Sequence, residues 1–425
     1  MGTTAFEELQ WRGSIHDVTP EIGEGRVGRE PLVAYCGFDP TASSLHLGNF
    51  IPIVGLMRLQ RAGHTPIALV GGATAMIGDP SGKSDERNLL DAATIRANQD
   101  AIGAQLERFL DFGGKNAAKL VNNADWFEGV TFIDFLRDTG KHFRVNYMLG
   151  KESVRSRLDN EQGMSFTEFS YMLLQASDFL HLHTHHGCSL QVGGADQWGN
   201  ITAGIDLVRR VAQAQVHGLP YPLLTTASGG KFGKTEAGAL WLDPARTSPY
   251  ELYQYFVRTD DRDVVKFLKL FTFLEAEAIA ELEAVHADRP HAREVHRRLA
   301  WEVTALIHGE ADADKAVRAS RVLFGEPIEG LEEAQLLAIF ADVPSKEIAR
   351  TVLDGDGWSL VEALVAMELC KSNGDARRRI EGGGVYVNNV RVEEVTKRLT
   401  AESLASENTV ILRCGKKNYG LVRFS

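Results

Sequence analysis

The sequence predicts a doubly wound, Rossmann-like α/β domain with a parallel sheet, then an α-helical domain and a small α+β domain. Three observations carry this prediction. Through roughly the first 220 residues, short apolar runs alternate with helical patterns, and no turns beside them would close hairpins. From Pro249 to about Phe324 the pattern is purely helical and charged. Beyond Pro344, two short helical patterns precede two hairpin patterns. The expected boundaries are 1–222, 223–325, a linker at 326–350 marked by Gly, Pro and acidic residues, and 351–425.

The elements follow in order. Pro31–Phe38 reads as a buried strand ending in a turn. In Leu47–Arg61 the residues Leu47, Phe50, Ile51, Val54, Leu56 and Met57 fall near one helical stripe, and Gly63 closes the helix. Pro66–Gly71 is a second strand, which completes a βαβ unit. Helices are expected near 94–110, 131–139 and 166–182. Ser189–Val192 is another strand, followed by a polar loop and a helix through Arg210. In such a sheet, ligands sit beyond the carboxyl ends of the strands. In the last domain, helices near 359–371 and 375–381 precede strands at 385–387 and 390–392, joined by Asn388-Asn389. A hairpin of 409–414 with 419–424 closes the chain.

Composition narrows the class. The 425 residues are 44% hydrophobic and 24% charged, which is ordinary globular usage and excludes a largely disordered or fibrous chain. The apolar runs Phe50–Met57 and Ile67–Ile77 fall short of the roughly 20 residues a membrane span needs. Glu7 and Glu8 precede any apolar stretch, unlike a signal peptide. Four cysteines lie far apart with no CxxC pair, as expected for a reducing cytoplasm. The net charge of −11 hides an asymmetry. Lys371–Ser425 carries 11 Lys/Arg against 6 Asp/Glu, so a basic tail follows an acidic body. A basic unit of that kind suits a polyanion, or is simply a solvated face.

Four stretches could carry chemistry. Tyr35–Asn49 leaves a strand through a polar loop and enters a helix at His46-Leu-Gly-Asn49. Backbone N–H groups at a helix start attract phosphate, and Gly48 leaves room for a nucleotide. A histidine there can equally be a cap. Lys231-Phe-Gly-Lys-Thr235 follows two glycines, so a loop can bring two positive charges over a polyphosphate, or form an exposed basic turn. Gly71–Ser84 resembles a P-loop but fails its spacing, because Ile77 stands where a glycine is required and Pro80 lacks an N–H. Asp79 in this stretch could still bind an ammonium group or a ribose. Finally, Tyr171, Gln175 and Asp178 are offset by 0, 4 and 7 residues on one helix face among apolar neighbours. Such buried polar groups need partners, and a small polar ligand is one candidate. The histidines at 181, 183, 185 and 186 fit no common zinc spacing, so no protein-bound metal is expected.

Together and in this order, these motifs resemble the bacterial tyrosyl-tRNA synthetases, a family of class I aminoacyl-tRNA synthetases. His46-Leu-Gly-Asn49 is similar to the HIGH motif and Lys231–Thr235 to the KMSKS motif. The likeness extends through 71–83, 141–147, 166–175, 191–204, Thr247–Glu251 and Thr259–Asp263. Ser372–Arg379 with Gly382–Asn388 resembles a small ribosomal-type RNA-binding domain.

The resemblance implies activation of L-tyrosine by ATP with Mg²⁺, then transfer to tRNA(Tyr). It assigns catalysis to His46, Asn49, Lys83, Arg87, Lys231, Lys234 and Thr235. Tyr35 and Asp178 would hold the phenol hydroxyl, and Asp79, Tyr171 and Gln175 the ammonium group, with Gln197 also at the tyrosine. Gly37, Asp39, Thr41, His46, Gly48, Asp196 and Lys234 would bind ATP. Arg377, Arg378, Arg379, Lys416 and Lys417 would bind tRNA. It also implies a homodimer; with no transit-peptide pattern visible the expected compartment is the cytoplasm, and no membrane or DNA partner is expected. One departure is Asn49, where the motif ends in histidine; asparagine still offers an N–H donor. The rival readings are a tryptophanyl-type synthetase, an RNA-binding protein on a synthetase scaffold, and another nucleotidyltransferase of the superfamily.

Overall fold

The computed structural model describes residues 4–23, 30–81, 90–158, 163–235, 238–323, 325–326, 328, 331–340, 343–415 and 418–425. The chain divides into two compact units, 1–248 with 255–307, and 249–254 with 308–425.

The first unit is built on helix α1 (Ala5–Trp11), strand β1 (Val33–Phe38), helix α2 (Leu47–Arg61) and strand β2 (Thr65–Val70). These are followed by α3 (Ala92–Leu106), β3 (Lys119–Asn122), α4 (Phe132–Asp138), α5 (Phe166–His186), β4 (Leu190–Gly194), α6 (Trp198–Val211) and β5 (His217–Tyr221). The five strands form one parallel sheet in the order β3-β2-β1-β4-β5. Its register pairs Tyr35 with Ile67 on one side and with Gln191 on the other. Both faces are covered, so β1 and β2 are almost wholly apolar. On one face Tyr35, Ile67 and Leu69 pack on Phe179, Leu182 and Val208. On the other, α2 lies so close that a Cβ on Gly55 would overlap the Tyr221 ring.

Strand order reverses beside β1. From β1 the chain steps through β2 to β3, and β4 then returns to the other flank of β1. The loops after β1 and β4 therefore diverge and leave a crevice at their carboxyl ends, where a doubly wound sheet binds its ligand.

Two strands of this sheet escaped the sequence reading. β3 is short and only half-buried, and β5 contains Gly218 and Pro220. Pro220 is tolerated because β5 lies at the sheet edge.

Helices α7 (Pro249–Val257), α8 (Val264–Phe271), α9 (Ala276–Asp288) and α10 (Glu294–His308) follow. The C-terminal end of α8 is held by two guanidinium groups. Arg12 and Arg58 both donate to the carbonyls of Lys269 and Thr272 at 2.9–3.1 Å, which satisfies acceptors that a helix end leaves open.

The second unit corrects the expected linker. Helices α11 (Glu310–Leu323) and α12 (Glu333–Ile339) precede strand β6 (Ser345–Ile348). Ala319, Val322, Leu336 and Phe340 bury their side chains against Ile411, Tyr419 and Leu421 of the last two strands. The segment 326–350 thus contains a packed helix and a strand, and α11 belongs with the C-terminal unit. Apolar contact outweighs the Gly and Pro signals here.

Helix α13 (Leu360–Ala366) is shorter than expected, since Glu368 turns the chain at φ +59°. Helix α14 (Asn373–Glu381) and strands β7 (Val385–Val387), β8 (Val390–Val392), β9 (Thr409–Cys414) and β10 (Asn418–Phe424) follow. The sheet order is β8-β7-β9-β10-β6, antiparallel except for β10 with β6. Asn388 and Asn389 both adopt positive φ in the turn between β7 and β8, as a two-residue hairpin requires.

Candidate active site

One side of the crevice is formed by β1 and α5. Tyr35 points from β1 onto Phe179, with ring centroids 5.2 Å apart, and its hydroxyl is buried without a hydrogen-bond partner among the described residues. Burial, then the nearby Asp178 carboxylate, holds this phenol well above its ordinary pKa, so it stays a neutral donor. Asp178 is itself buried on α5. It accepts from Asn123 Nδ2 at 3.1 Å and Trp126 Nε1 at 2.9 Å. Burial raises its carboxyl to about 8 against the pull of those two donors. An unpartnered phenol beside a carboxyl suits a ligand hydroxyl, because a buried polar group left unmatched is costly.

Two helical turns away, Tyr171 donates to Asp39 at 2.8 Å, and Thr74 donates to the other oxygen of Asp39 at 2.7 Å. Burial and the Asp39 and Asp79 charges raise the Tyr171 phenol well above its usual value. Asp79 accepts from Gln197 Nε2 at 2.6 Å, from the Ser81 N–H at 3.0 Å and from Asn200 at 3.5 Å. Two carboxylates with polar neighbours thus lie at this end of the crevice, a setting that suits a cation. Close backbone approach is part of the design, since a Cβ on Gly71 would overlap Asp39 and Thr74, and one on Gly194 would overlap Asp196. Gln175 is half-buried on the same face of α5, and Gly37 is exposed at the end of β1.

The start of α2 forms the other side. His46 is the N-cap: its ring Nδ1 accepts the Gly48 N–H at 3.1 Å, while the Asn49 side-chain oxygen accepts the His46 N–H at 3.1 Å. Asn49 thus closes a capping box, which is a structural use of the residue that departs from the motif. Any side chain on Gly48 would press on the His46 ring at 2.9 Å.

The Lys231–Thr235 loop lies directly on this helix start. A Cβ on Gly233 (φ +74°) would sit 3.0 Å from Leu47 Cβ and 3.4 Å from Gly48 N. The Gly233 carbonyl accepts from Leu240 N–H at 2.9 Å, and the Leu240 carbonyl from Leu47 N–H at 2.8 Å. Phe232 anchors the loop, stacked on Phe271 at 4.8 Å and edge-on to Phe267 at 4.9 Å. Lys231, Lys234 and Thr235 remain exposed. A helix N-terminus beside two exposed lysines suits an anion.

The structure brings together Tyr35, Tyr171 and Asp178, joins Asp39 to Tyr171 and Asp79 to Gln197, and sets His46, Gly48 and Asn49 against the lysine loop. Thr41 and Asp196 lie in the loops after β1 and β4. Lys83, Arg87, Lys416 and Lys417 fall outside the described residues. Arg377, Arg378 and Arg379 are exposed on α14 of the second unit, where Arg379 pairs with Asp375 at 3.2 Å. The sequence reading missed Thr74, Asn123, Trp126 and Asn200. Asn123 follows β3, and recognition of that strand would have placed it at the carboxyl end of the sheet.

Comparison with known proteins identifies the family. The family described as tRNA synthetases class I (W and Y) matches residues 28–325, and the Tyrosine--tRNA ligase SYY-like C-terminal domain matches 335–422. A tyrosine–tRNA ligase of Rhodopirellula baltica is 53% identical over 419 residues, spanning 98% of this chain and 96% of that protein. One from Roseiflexus castenholzii is 52% identical over 99% of both. The crystal structure of a C-terminally truncated Aspergillus nidulans mitochondrial tyrosyl-tRNA synthetase superposes with a TM-score of 0.70 at 34% identity, over 76% of this chain and 95% of that one. The chain belongs to the tyrosine–tRNA ligase family of class I aminoacyl-tRNA synthetases.

Proposed function

We propose a division of labour among these residues for the family reaction, in which tyrosine and ATP give tyrosyl-adenylate and pyrophosphate and the tyrosyl group then passes to tRNA(Tyr). The Tyr35 hydroxyl and the Asp178 carboxyl hold the substrate phenol; the buried, unpartnered Tyr35 hydroxyl carries this assignment. Tyr171, Gln175 and Asp79 take the ammonium group, with Gln197 at the tyrosine. Gly37, Asp39, Thr41, Gly48 and Asp196 line the nucleotide.

The substrate carboxylate is ionised at neutral pH, so attack on the α-phosphate needs no general base. The work left is orientation and stabilisation of charge on the phosphoryl group and the departing pyrophosphate. His46, Asn49, Lys83, Arg87, Lys231, Lys234 and Thr235 supply it. Removal of one such donor costs roughly 3 kcal/mol of transition-state stabilisation, about 100-fold in rate. Mg²⁺ enters with ATP as part of the substrate, because this ion is held mainly by phosphates and water and needs no protein cage.

Arg377, Arg378, Arg379, Lys416 and Lys417 grip tRNA phosphates. The protein works in the cytoplasm, a reading supported by cysteines too dispersed in sequence for a disulfide framework. It acts as a homodimer, and the apolar side chains of Phe132, Ile133 and Phe166, each 63–67% exposed, support a second copy as their cover.

The test is exchange of labelled pyrophosphate into ATP with each of the twenty amino acids. Exchange is expected with tyrosine alone and is lost in Asp178→Ala. Exchange driven by tryptophan would overturn the phenol site.

A further inference from the structure

We propose that Tyr255 is a positioning residue for adenylate formation, its hydroxyl latching the Lys231–Thr235 loop onto the start of α2. The proposal rests on the reading of Lys231 and Lys234 given above. Tyr255 sits half-buried near the end of α7, and its hydroxyl oxygen accepts the Gly233 N–H at 2.9 Å. Its ring meets Phe232 edge-on at 6.0 Å and Phe256 at 5.2 Å, so the hydroxyl is delivered by a fixed side chain. Gly233 lies against the first turn of α2, and it stands between the two lysines.

Tyr255 holds Gly233 by its N–H and Leu240 holds it by its carbonyl, so the peptide planes on both sides of Gly233 are set, and with them the directions in which Lys231 and Lys234 leave the loop. Without the hydroxyl, the Gly233 N–H is left buried and unmatched, and the loop gains by swinging out to water. At the other end of the loop, the Ala227 N–H donates to Asp263 Oδ2 at 2.6 Å, so a loop freed at Gly233 stays hinged at Ala227. Burial raises the Tyr255 phenol above its ordinary value, which keeps it neutral across the working pH range.

The test uses the full chain with Tyr255→Phe, which deletes the oxygen and keeps the ring. One neutral hydrogen bond is worth about a fivefold change, so kcat for tyrosine-dependent pyrophosphate exchange should fall about fivefold. The KM for tyrosine and the Tm should stay unchanged, and hydrogen exchange at the Gly233 amide should accelerate. Tyr255→Leu, which also removes the ring, should lose more activity and lower the Tm. Lys234→Ala run alongside separates the two levels of the argument. If Lys234→Ala abolishes exchange while Tyr255→Phe keeps native kcat, the latch is wrong and the role of the lysine stands. If Tyr255→Phe lowers kcat, tyrosine affinity and Tm together, the residue is structural and the proposal fails. If Lys234→Ala keeps full exchange, the loop takes no part in the reaction and the latch falls with it.

Discussion

In the proposed site, Asp178 couples substrate recognition to stability. Its carboxyl titrates near 8 in the fold, chiefly because of burial, against about 4 in an unfolded chain. The folded protein therefore keeps a proton that the unfolded chain releases above pH 4. The stability this provides is fully present below that pH and is lost as pH rises towards 8. Asp178→Asn cannot titrate, so without tyrosine its Tm should gain on that of the native chain between pH 5 and pH 8, whatever the constant offset. Parallel Tm curves would show that Asp178 is ionised throughout. Tyr35 makes the complementary point: its unpartnered hydroxyl is tolerated where a ligand hydroxyl completes it.

At the scale of elements, the site is a meeting of loops held by packing outside the chemistry. The two lysines are exposed and mark nothing by themselves. Phe232, between them, is buried and stacks into an aromatic group with Phe256, Phe267 and Phe271. Phe232→Ala should cost about 3 kcal/mol in urea unfolding, the lower end for a buried phenylalanine, and should slow adenylate formation as the loop loses its anchor. An unchanged urea midpoint would mean that the loop is held by its backbone bonds alone. Helix α5 is the other organising element, because its buried stripe carries both Tyr171 and Asp178 into the crevice.

For the whole molecule, charge is uneven along the chain. The arginines on α14 lie in the basic stretch Lys371–Ser425 and are remote in sequence from the Lys231–Thr235 loop. Arg377→Ala and Arg378→Ala should leave pyrophosphate exchange untouched and weaken tRNA binding. Each should reduce the slope of log affinity against log salt by about 0.7–0.9. An unaltered slope would remove those residues from the tRNA surface. The exposed apolar face of α4 makes a separate prediction: Ile133→Glu should yield monomers by light scattering, since a buried unpaired charge at an interface is strongly disfavoured. A variant that remains dimeric would place the interface elsewhere.

Much of the architecture was legible in the sequence for a simple reason. The helix α2 was read to within a residue because periodicity and a closing glycine are local signals. The stripe of Tyr171, Gln175 and Asp178 follows from helix geometry alone. Motif order indicated the family. Tertiary structure decided what no local signal encodes. It completed the sheet with β3, a short half-buried strand, and β5, whose Pro220 is acceptable only at an edge. It turned an expected linker into α12 and β6, because their apolar side chains find cover only against strands far along the chain. It brought Asn123 and Trp126 to Asp178, and Gly233 onto Leu47. Sequence determined which local elements form and which chemistry they carry. Long-range packing decided which buried polar groups meet, since partners distant in the chain are chosen by the space the assembled core leaves.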